Sequence, residues 1–280
     1  MLFIRLRLIA IDWYNFKNSK NRSKGGKTNK MKNVTRIKHD GVIFAINEEH
    51  SLTEMVNGGN IKDVTIPKKF PNGEYIKSIS PFFCFGKYGT ITVANGIRKV
   101  CEKAFYNSDV VKVVWPSGCR IIPDHCFYLS SIEIIDNIEK VESIEQNAFH
   151  RTNIAEFNWP TNCAVIPSYC FYMSKLRYIR GIDNVSRIEH SAFSNSNIEE
   201  ISWPSKCSNI PEYCFAGSSL KKLTNLGCVS VIGCGAFKNA SCVDELDFSS
   251  AFIESIAQDA FDGINAGSIY LPYYVDCESN

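Results

Sequence analysis

Apolar and polar positions repeat every 22 residues through most of this chain, and phenylalanine marks the period at Phe105, Phe127, Phe149, Phe171, Phe193, Phe215 and Phe237. Five residues after each of the first six come Val110, Ile132, Ile154, Leu176, Ile198 and Leu220, and eight residues after come Val113, Ile135, Phe157, Ile179, Ile201 and Leu223. Five residues before each phenylalanine stand Val100, Ile122, Ile144, Ile166, Ile188, Ile210 and Ile232. The residue just before it is always small, alternating Ala104, Cys126, Ala148, Cys170, Ala192, Cys214 and Ala236. A coil with so few inward side chains cannot close a core alone. Each must pack on its counterparts above and below, about 4.8 Å away where the coils pair as strands. The small neighbour leaves room for the ring to lie flat against the next coil. The pattern predicts a repeat solenoid, with short strands carrying the apolar columns.

A 44-residue period overlies the first. One kind of coil reads Trp-Pro-x-x-Cys-x-x-Ile-Pro-x-x-Cys-Phe or a close variant, from Trp115 to Phe127, Trp159 to Phe171 and Trp203 to Phe215. Its prolines, Pro116, Pro123, Pro160, Pro167, Pro204 and Pro211, lack a backbone donor and fix φ, so they are expected at strand ends and corners. The other kind replaces Trp-Pro with Asn137-Ile138, Gly181-Ile182 or Asn225-Leu226, which shifts the aliphatic rung by one residue. Upstream, Ile61 to Pro67 reads as a first strand and corner, and Ile79 to Phe85 resembles the later Ile-Pro-x-x-Cys-Phe runs, with Phe85 aligned to the phenylalanine column and the next coil two residues short. Downstream, Ile256, Ala260 and Phe261 recover the motif after a 24-residue step, and Ile269-Tyr270-Leu271-Pro272 reads as a last strand.

The order aliphatic-x-x-Ile-x-aliphatic-Pro, then Val or Cys, Ile, and Ala-Phe or Cys-Phe, resembles the BspA-like leucine-rich repeat family, over about residues 61 to 272. The resemblance implies a leucine-rich-repeat-like curved stack of about nine coils, with short parallel strands joined by short turns or 3₁₀ pieces. It also implies adhesion and surface recognition, with a protein or glycan as partner and a cell-surface or secreted location.

The charge is split. Residues 1–38 hold 11 Lys or Arg against one Asp, so the formal +2 of the whole chain conceals an acidic array of net −8. Residues 1–39 are assigned to a basic, disordered leader, with Met31 a second candidate start, residues 40–60 to a cap, 61–272 to the array and 273–280 to a tail. The leader makes a poor secretory signal, since Arg5 and Arg7 interrupt its apolar stretch. Its alternative role is a basic arm touching nucleic acid or an anionic membrane, but no specific nucleic-acid site is read from it. No apolar run reaches the roughly 18 residues of a membrane span.

Twelve cysteines raise the questions of disulfides and zinc. Cys119, Cys163 and Cys207 take the column filled by Val141, Val185 and Val229 in alternate coils, and Cys126, Cys170 and Cys214 take the alanine column, so they are expected to be reduced core thiols. Bridges within a coil, or through Cys228, Cys234, Cys242 or Cys277, stay open. Zinc would want close C-x₂₋₄-C pairs, which these spacings do not supply, and no cofactor or metal is implied. Trp115, Trp159 and Trp203 are either core and corner residues, which is favoured, or an exposed indole row for sugars. Tyr128, Tyr169, Tyr172 and Tyr213 beside the corners form a second candidate strip, packing being their favoured role.

The candidate partner-binding residues stand six, seven or nine places after each phenylalanine, outward on the strands: Glu133, Asp136, Glu156, Arg177, Tyr178, Arg180, Glu199, Glu200, Lys221 and Lys222. A charge-complementary protein surface and an ordinary solvated sheet weigh equally there. The five histidines fall in different coil positions with no recurring nucleophile or carboxylate, so the chain is expected to be no enzyme. The functional expectation is a recognition module, surface-associated by the resemblance. Its alternative is an intracellular scaffold, which the missing signal and the many thiols favour.

Overall fold

The computed structural model describes residues 34–57, 61–241 and 243–273. Residues 1–33 of the expected leader, the tail from 274, and Cys242 and Cys277 lie outside the described residues. The chain winds into a β-solenoid of about nine turns, nearly all of it parallel strand and turn.

The array opens with β1 (Val34–His39), β2 (Val42–Asn47) and β3 (Ser51–Asn57). The first strand thus starts inside the segment assigned to the leader. Asp40 and Gly41 join β1 to β2 with φ of 50° and 79°, the two successive left-handed residues of a type I′ hairpin. A side chain at Gly41 would meet Ile61 Cδ1 at 2.5 Å, so glycine is needed for space as well as for φ. β2 and β3 pair antiparallel and bury Val42, Phe44, Ile46, Leu52 and Met55 against the first coil. β3 then turns parallel partner, with Leu52 opposite Ile79, which closes the N-terminal end of the stack.

Each later coil has three sides. Its front strand carries the column eight residues past the phenylalanine, with Val113, Ile135, Phe157, Ile179, Ile201 and Leu223 all pointing into the core. Its side is a two-residue strand ending in the column five before the phenylalanine, such as Ile121–Ile122 or Ser143–Ile144, which pair in register. The prolines fall where the sequence places them: Pro123 and Pro167 directly follow side strands, and Pro116, Pro160 and Pro204 follow the tryptophan at the end of a front strand.

The third side holds the phenylalanine. Two residues before it and two after it the backbone is left-handed, at Lys103 and Asn107, His125 and Leu129, Asn147 and Arg151, Tyr169 and Met173, and Ser191 and Asn195. This alternation turns three N–H groups per coil toward the next coil. Those of His125, Phe127 and Leu129, for example, donate to the carbonyls of Gln146, Ala148 and His150 at 2.9 to 3.1 Å. The intervening N–H groups close turns within the coil, as Cys126 to Pro123 and Tyr128 to His125. In the Phe127 coil every backbone donor from His125 to Ser130 is used, which offsets left-handed conformations costing roughly 1–2 kcal/mol each in non-glycine residues.

The rings stack as expected. From Phe105 through Phe237 to Phe261, successive centroids lie 5.0 to 6.0 Å apart with interplanar angles of 4° to 25°. The 24-residue step therefore bulges elsewhere and leaves the spine intact. At the other end the alignment needs correction. Phe83 continues the spine, fully buried and edge-on to Phe105 at 5.0 Å, so the 22-residue spacing holds there, while Cys84–Phe85 pairs with β3. A hydroxyl column not anticipated from the sequence lies three residues after the rings from Phe105 to Phe215. Thr152, Ser174 and Ser196 are buried and donate to the carbonyls of Phe149, Phe171 and Phe193 at 2.6 to 2.8 Å.

The tryptophans are core. Each indole Nε1 donates to the carbonyl four residues on, from Trp115 to Cys119, Trp159 to Cys163 and Trp203 to Cys207, at 2.8 to 3.0 Å. Each main-chain carbonyl meets the next coil: the side-chain amides of Asn137 and Asn225 donate to those of Trp115 and Trp203 at 2.5 and 2.6 Å. At Gly181 an added side chain would begin 3.0 Å from the Trp159 carbonyl, and φ is +75°. Asn and Gly alternate with Trp-Pro because this left-handed corner must approach that carbonyl.

The cysteines behave as small hydrophobes. Cys126, Cys170 and Cys214 are fully buried, and Cys119, Cys163 and Cys207 point their thiols at carbonyls of the coil before, 3.5 Å from Ile97, Val141 and Val185. Burial raises these thiols, Cys119 and Cys207 to about 11 and Cys163 to about 12, from an ordinary 9.0.

Three measurements test this packing. Phe171→Ala opens a cavity in mid-stack and is expected to lower stability by about 3 to 5 kcal/mol in urea titration, while exposed Glu200→Ala leaves it nearly unchanged. Asn225→Val loses both the left-handed fit and the amide, and is expected to cost about 2 kcal/mol, with Asn225→Gly less affected. Because the fold raises the thiols above their unfolded value, stability is expected to be complete below pH 9.0 and to fall as pH rises toward 11 and 12. Cys163→Val should flatten that alkaline limb.

Candidate functional site

The front ladder is a regular surface of the array, because each strand spends alternate residues on the core and leaves the others outward. All ten candidate residues lie on it or at its strand entries. Glu133 precedes strand Ile134–Asp136, Glu156 opens Glu156–Asn158, Arg177 precedes Tyr178–Arg180, Glu199 precedes Glu200–Ser202, and Lys221 precedes Lys222–Thr224.

Seven of the ten are drawn into ion pairs or hydrogen bonds between coils. Glu199 is the centre: Arg177 Nε donates to its Oε1 at 2.6 Å, Lys221 Nζ reaches Oε2 at 3.2 Å, and Tyr178 Oη lies 3.4 Å from Oε2. The Arg177 guanidinium also lies over the Tyr178 ring, 5.2 Å from its centroid. Arg177 and Lys221 hold the Glu199 carboxyl down to about 2. Arg180 pairs with Glu156 at 3.4 Å, and Asp136 with Lys112 at 2.5 Å. Glu200 and Lys222 sit opposite each other in register, and Tyr178 opposite Glu200. From the Glu156 coil to the Lys221 coil the front is therefore a stack of complementary rows, each coil's charge facing the opposite sign on the next.

A second surface was only partly legible. On the turn side, Phe82, Tyr106, Tyr128, His150 and Tyr172 form a continuous row of rings with centroids 4.3 to 5.3 Å apart. His125 and Tyr169 lean against it, and Tyr169 Oη bonds His190 Nε2 at 2.6 Å, with Tyr213 following. The sequence marks Tyr128, Tyr172, Tyr169 and Tyr213 but treats the histidines as scattered. His150 in fact takes the column next to the spine together with Tyr106, Tyr128 and Tyr172, a signal present in the 22-residue register. Tyr106 and Tyr128 lie face to face at 4°. Burial, with Arg151 and His125 nearby, drives His150 down to about 4 and keeps it neutral near pH 7.

Among the described residues no group of three or more His, Cys, Asp or Glu is placed to hold a metal ion. No helix among them is long and apolar enough to cross a membrane.

A parallel solenoid of this construction is a leucine-rich-repeat protein, a protein-interaction module of a class that is typically non-enzymatic. The chain belongs to the BspA type leucine rich repeat family, matching the BspA type leucine rich repeat region, with six copies, over residues 54–177 and 164–276. Among solved structures it is similar to the pneumococcal vaccine antigen PcpA, with 15% identity over 85% of each chain and a TM-score of 0.44. It is also similar to a leucine rich repeat protein of T. pallidum, with 19% identity over 72% of this chain and 88% of that one and a TM-score of 0.46. A leucine-rich repeat protein from Bacteroides ovatus shares 15% identity over 87% of this chain and 91% of that one, with a TM-score of 0.40. No curated protein matches the chain.

The two titrating groups give separate acid windows. His150 lies below its ordinary 6.5 and Glu199 below its ordinary 4.5, so each contributes stability that is whole above the ordinary value. As pH falls, the His150 part is expected to fade between 6.5 and about 4, and the Glu199 part between 4.5 and about 2. Urea midpoints measured against pH for His150→Phe and Glu199→Gln should each lose only their own segment of the curve.

Proposed function

We propose that this chain is a surface-associated adhesion or partner-binding protein, holding a protein or a glycan against its front ladder. The observation that carries the reading is the ordered network around Arg177, Tyr178, Glu199 and Lys221. These charged and aromatic groups are fixed in place by one another and owe nothing to the core. Preorganised Arg and Tyr side chains suit recognition because little rotamer entropy remains to be lost on docking. The family and the antigen-type neighbour support a surface role. The buried reduced thiols favour the second reading, an intracellular scaffold that uses the same face.

Two experiments separate these readings. Purified chain is screened against a glycan array and a panel of extracellular protein domains, and any hit is re-measured with Arg177→Glu and Arg180→Glu on the front and Arg151→Glu on the turn side. Front substitutions are expected to weaken binding about 10-fold or more, and the turn-side one to leave it unchanged. Binding indifferent to the front changes would remove the front ladder from the function. Surface biotinylation of intact cells is expected to label the protein, and full protection would favour the scaffold.

A further inference from the structure

The front ladder has one interruption among the described residues. Its strands form two sheets, one ending at Ile134–Asp136 and the other beginning at Glu156–Asn158. The coils still hold together on their other sides. Ile121–Ile122 pairs with Ser143–Ile144, and the N–H groups of His125, Phe127 and Leu129 still reach the following coil. Only the front opens.

The 44-residue unit explains where. From a Trp-Pro coil to the Asn or Gly coil after it, the front strands share three register pairs, as between Glu156–Asn158 and Tyr178–Arg180 or Glu200–Ser202 and Lys222–Thr224. From an Asn or Gly coil to the next unit only one survives, Tyr178 with Glu200 and Lys222 with Glu245. The shifted aliphatic rung makes these junctions poor matches. At the first of them the column eight residues past the ring holds Phe157, where the neighbouring coils carry isoleucine, leucine or valine. Its ring is wedged against Phe149 at 5.0 Å and Phe171 at 5.5 Å, and the last register pair is lost.

The result is an open cleft of about 290 Å³. Its apolar lining is Ile134, Ile135, Ile138 and Phe157, with Ile134 47% exposed. Its charged lining is entirely acidic: Glu133, Asp136, Glu139 and Glu156. Lys112 and Arg180 engage Asp136 and Glu156 from outside the cleft. Among the described residues, the ion pairs at this cleft engage Asp136 and Glu156, and none engages Glu133 or Glu139. Since the coils remain bonded on their other sides, the opening suits a side chain and not an inserted strand, which would need about twice the 4.8 Å strand spacing.

We propose that this cleft is a docking slot for a lysine or arginine side chain on a partner protein. Its methylenes would lie on Ile134 and the exposed edges of Ile135, Ile138 and Phe157, and its cationic head would meet Glu133 at one end of the slot or Glu139 at the other. A long basic side chain is the common group that carries both an apolar stem and a positive end, as this lining demands. The slot rests on the front-ladder reading and gives its partner a chemistry.

The test is a methyl NMR titration of the full chain, labelled at isoleucine δ1, with acetyl-Gly-Arg-Gly-amide. Saturable shifts are expected at Ile134, Ile135 and Ile138 and none at Ile201 or Ile210. Glu133→Gln with Glu139→Gln should weaken the binding about 10-fold. Phe157→Ile should close the ladder and abolish the shifts, with unmoved Ile201 and Ile210 signals showing that the stack is intact. The Gly-Glu-Gly counterpart should produce no shift. Shifts spread along the whole front, an unaltered response in the glutamine pair, or the same shifts from calcium chloride alone would overturn the proposal. Loss of the arginine response while a screened partner still binds the front would remove the slot and leave the recognition reading standing. Retention of the slot with no front-dependent partner would do the reverse.

Discussion

Everything in this molecule depends on one constraint: each coil must return its phenylalanine to within stacking distance of the last. A single coil buries too little to be stable, and it also contains two left-handed residues that oppose it. Contact with a second coil removes both deficits together. The left-handed pair turns its N–H groups outward, the next coil accepts them, and the two rings exclude water from each other. Local strain and long-range bonding are therefore parts of one arrangement. The backbone is tolerable only in the stack, and the stack bonds only through that backbone.

Much of this could be read from residues because the inward columns are selected by packing, and packing leaves a periodic trace. The Trp-Pro corners, the Ala or Cys step and the 24-residue jump to Phe261 all show in the sequence. The register error at Phe85 shows the limit. Two aromatic residues two places apart both fit a loose motif, and only the count of 22 from Phe105 selects Phe83. The cap strand from Val34 was hidden because a single hairpin strand carries no repeat to compare with. Thr152, Ser174 and Ser196 were overlooked because a hydroxyl reads as exposed until its local carbonyl partner is known.

The outward face was legible as positions and not as interactions. The offsets of six, seven and nine residues locate the candidates, since strand alternation decides which way a side chain points. They do not show that Arg177 reaches forward to Glu199 while Arg180 reaches back to Glu156. Those choices depend on strand stagger, which differs between the two kinds of junction. The opening before Phe157 had the same origin: the larger residue was visible, but it could be taken for an ordinary hydrophobic substitution until the ladder was seen to part beside it.

The corner asparagines carry an implication for how such an array can change its length. Trp115 and Trp203 each offer a carbonyl that Asn137 and Asn225 complete from the coil above, and Gly181 makes room for the same carbonyl of Trp159. Excising one coil would set two Trp-Pro corners on each other and strand an acceptor where proline has no hydrogen to give. Excising two in succession would set an Asn or Gly corner over each Trp carbonyl again. Growth and shrinkage by gene duplication are thus quantised, and the heritable unit is the couplet.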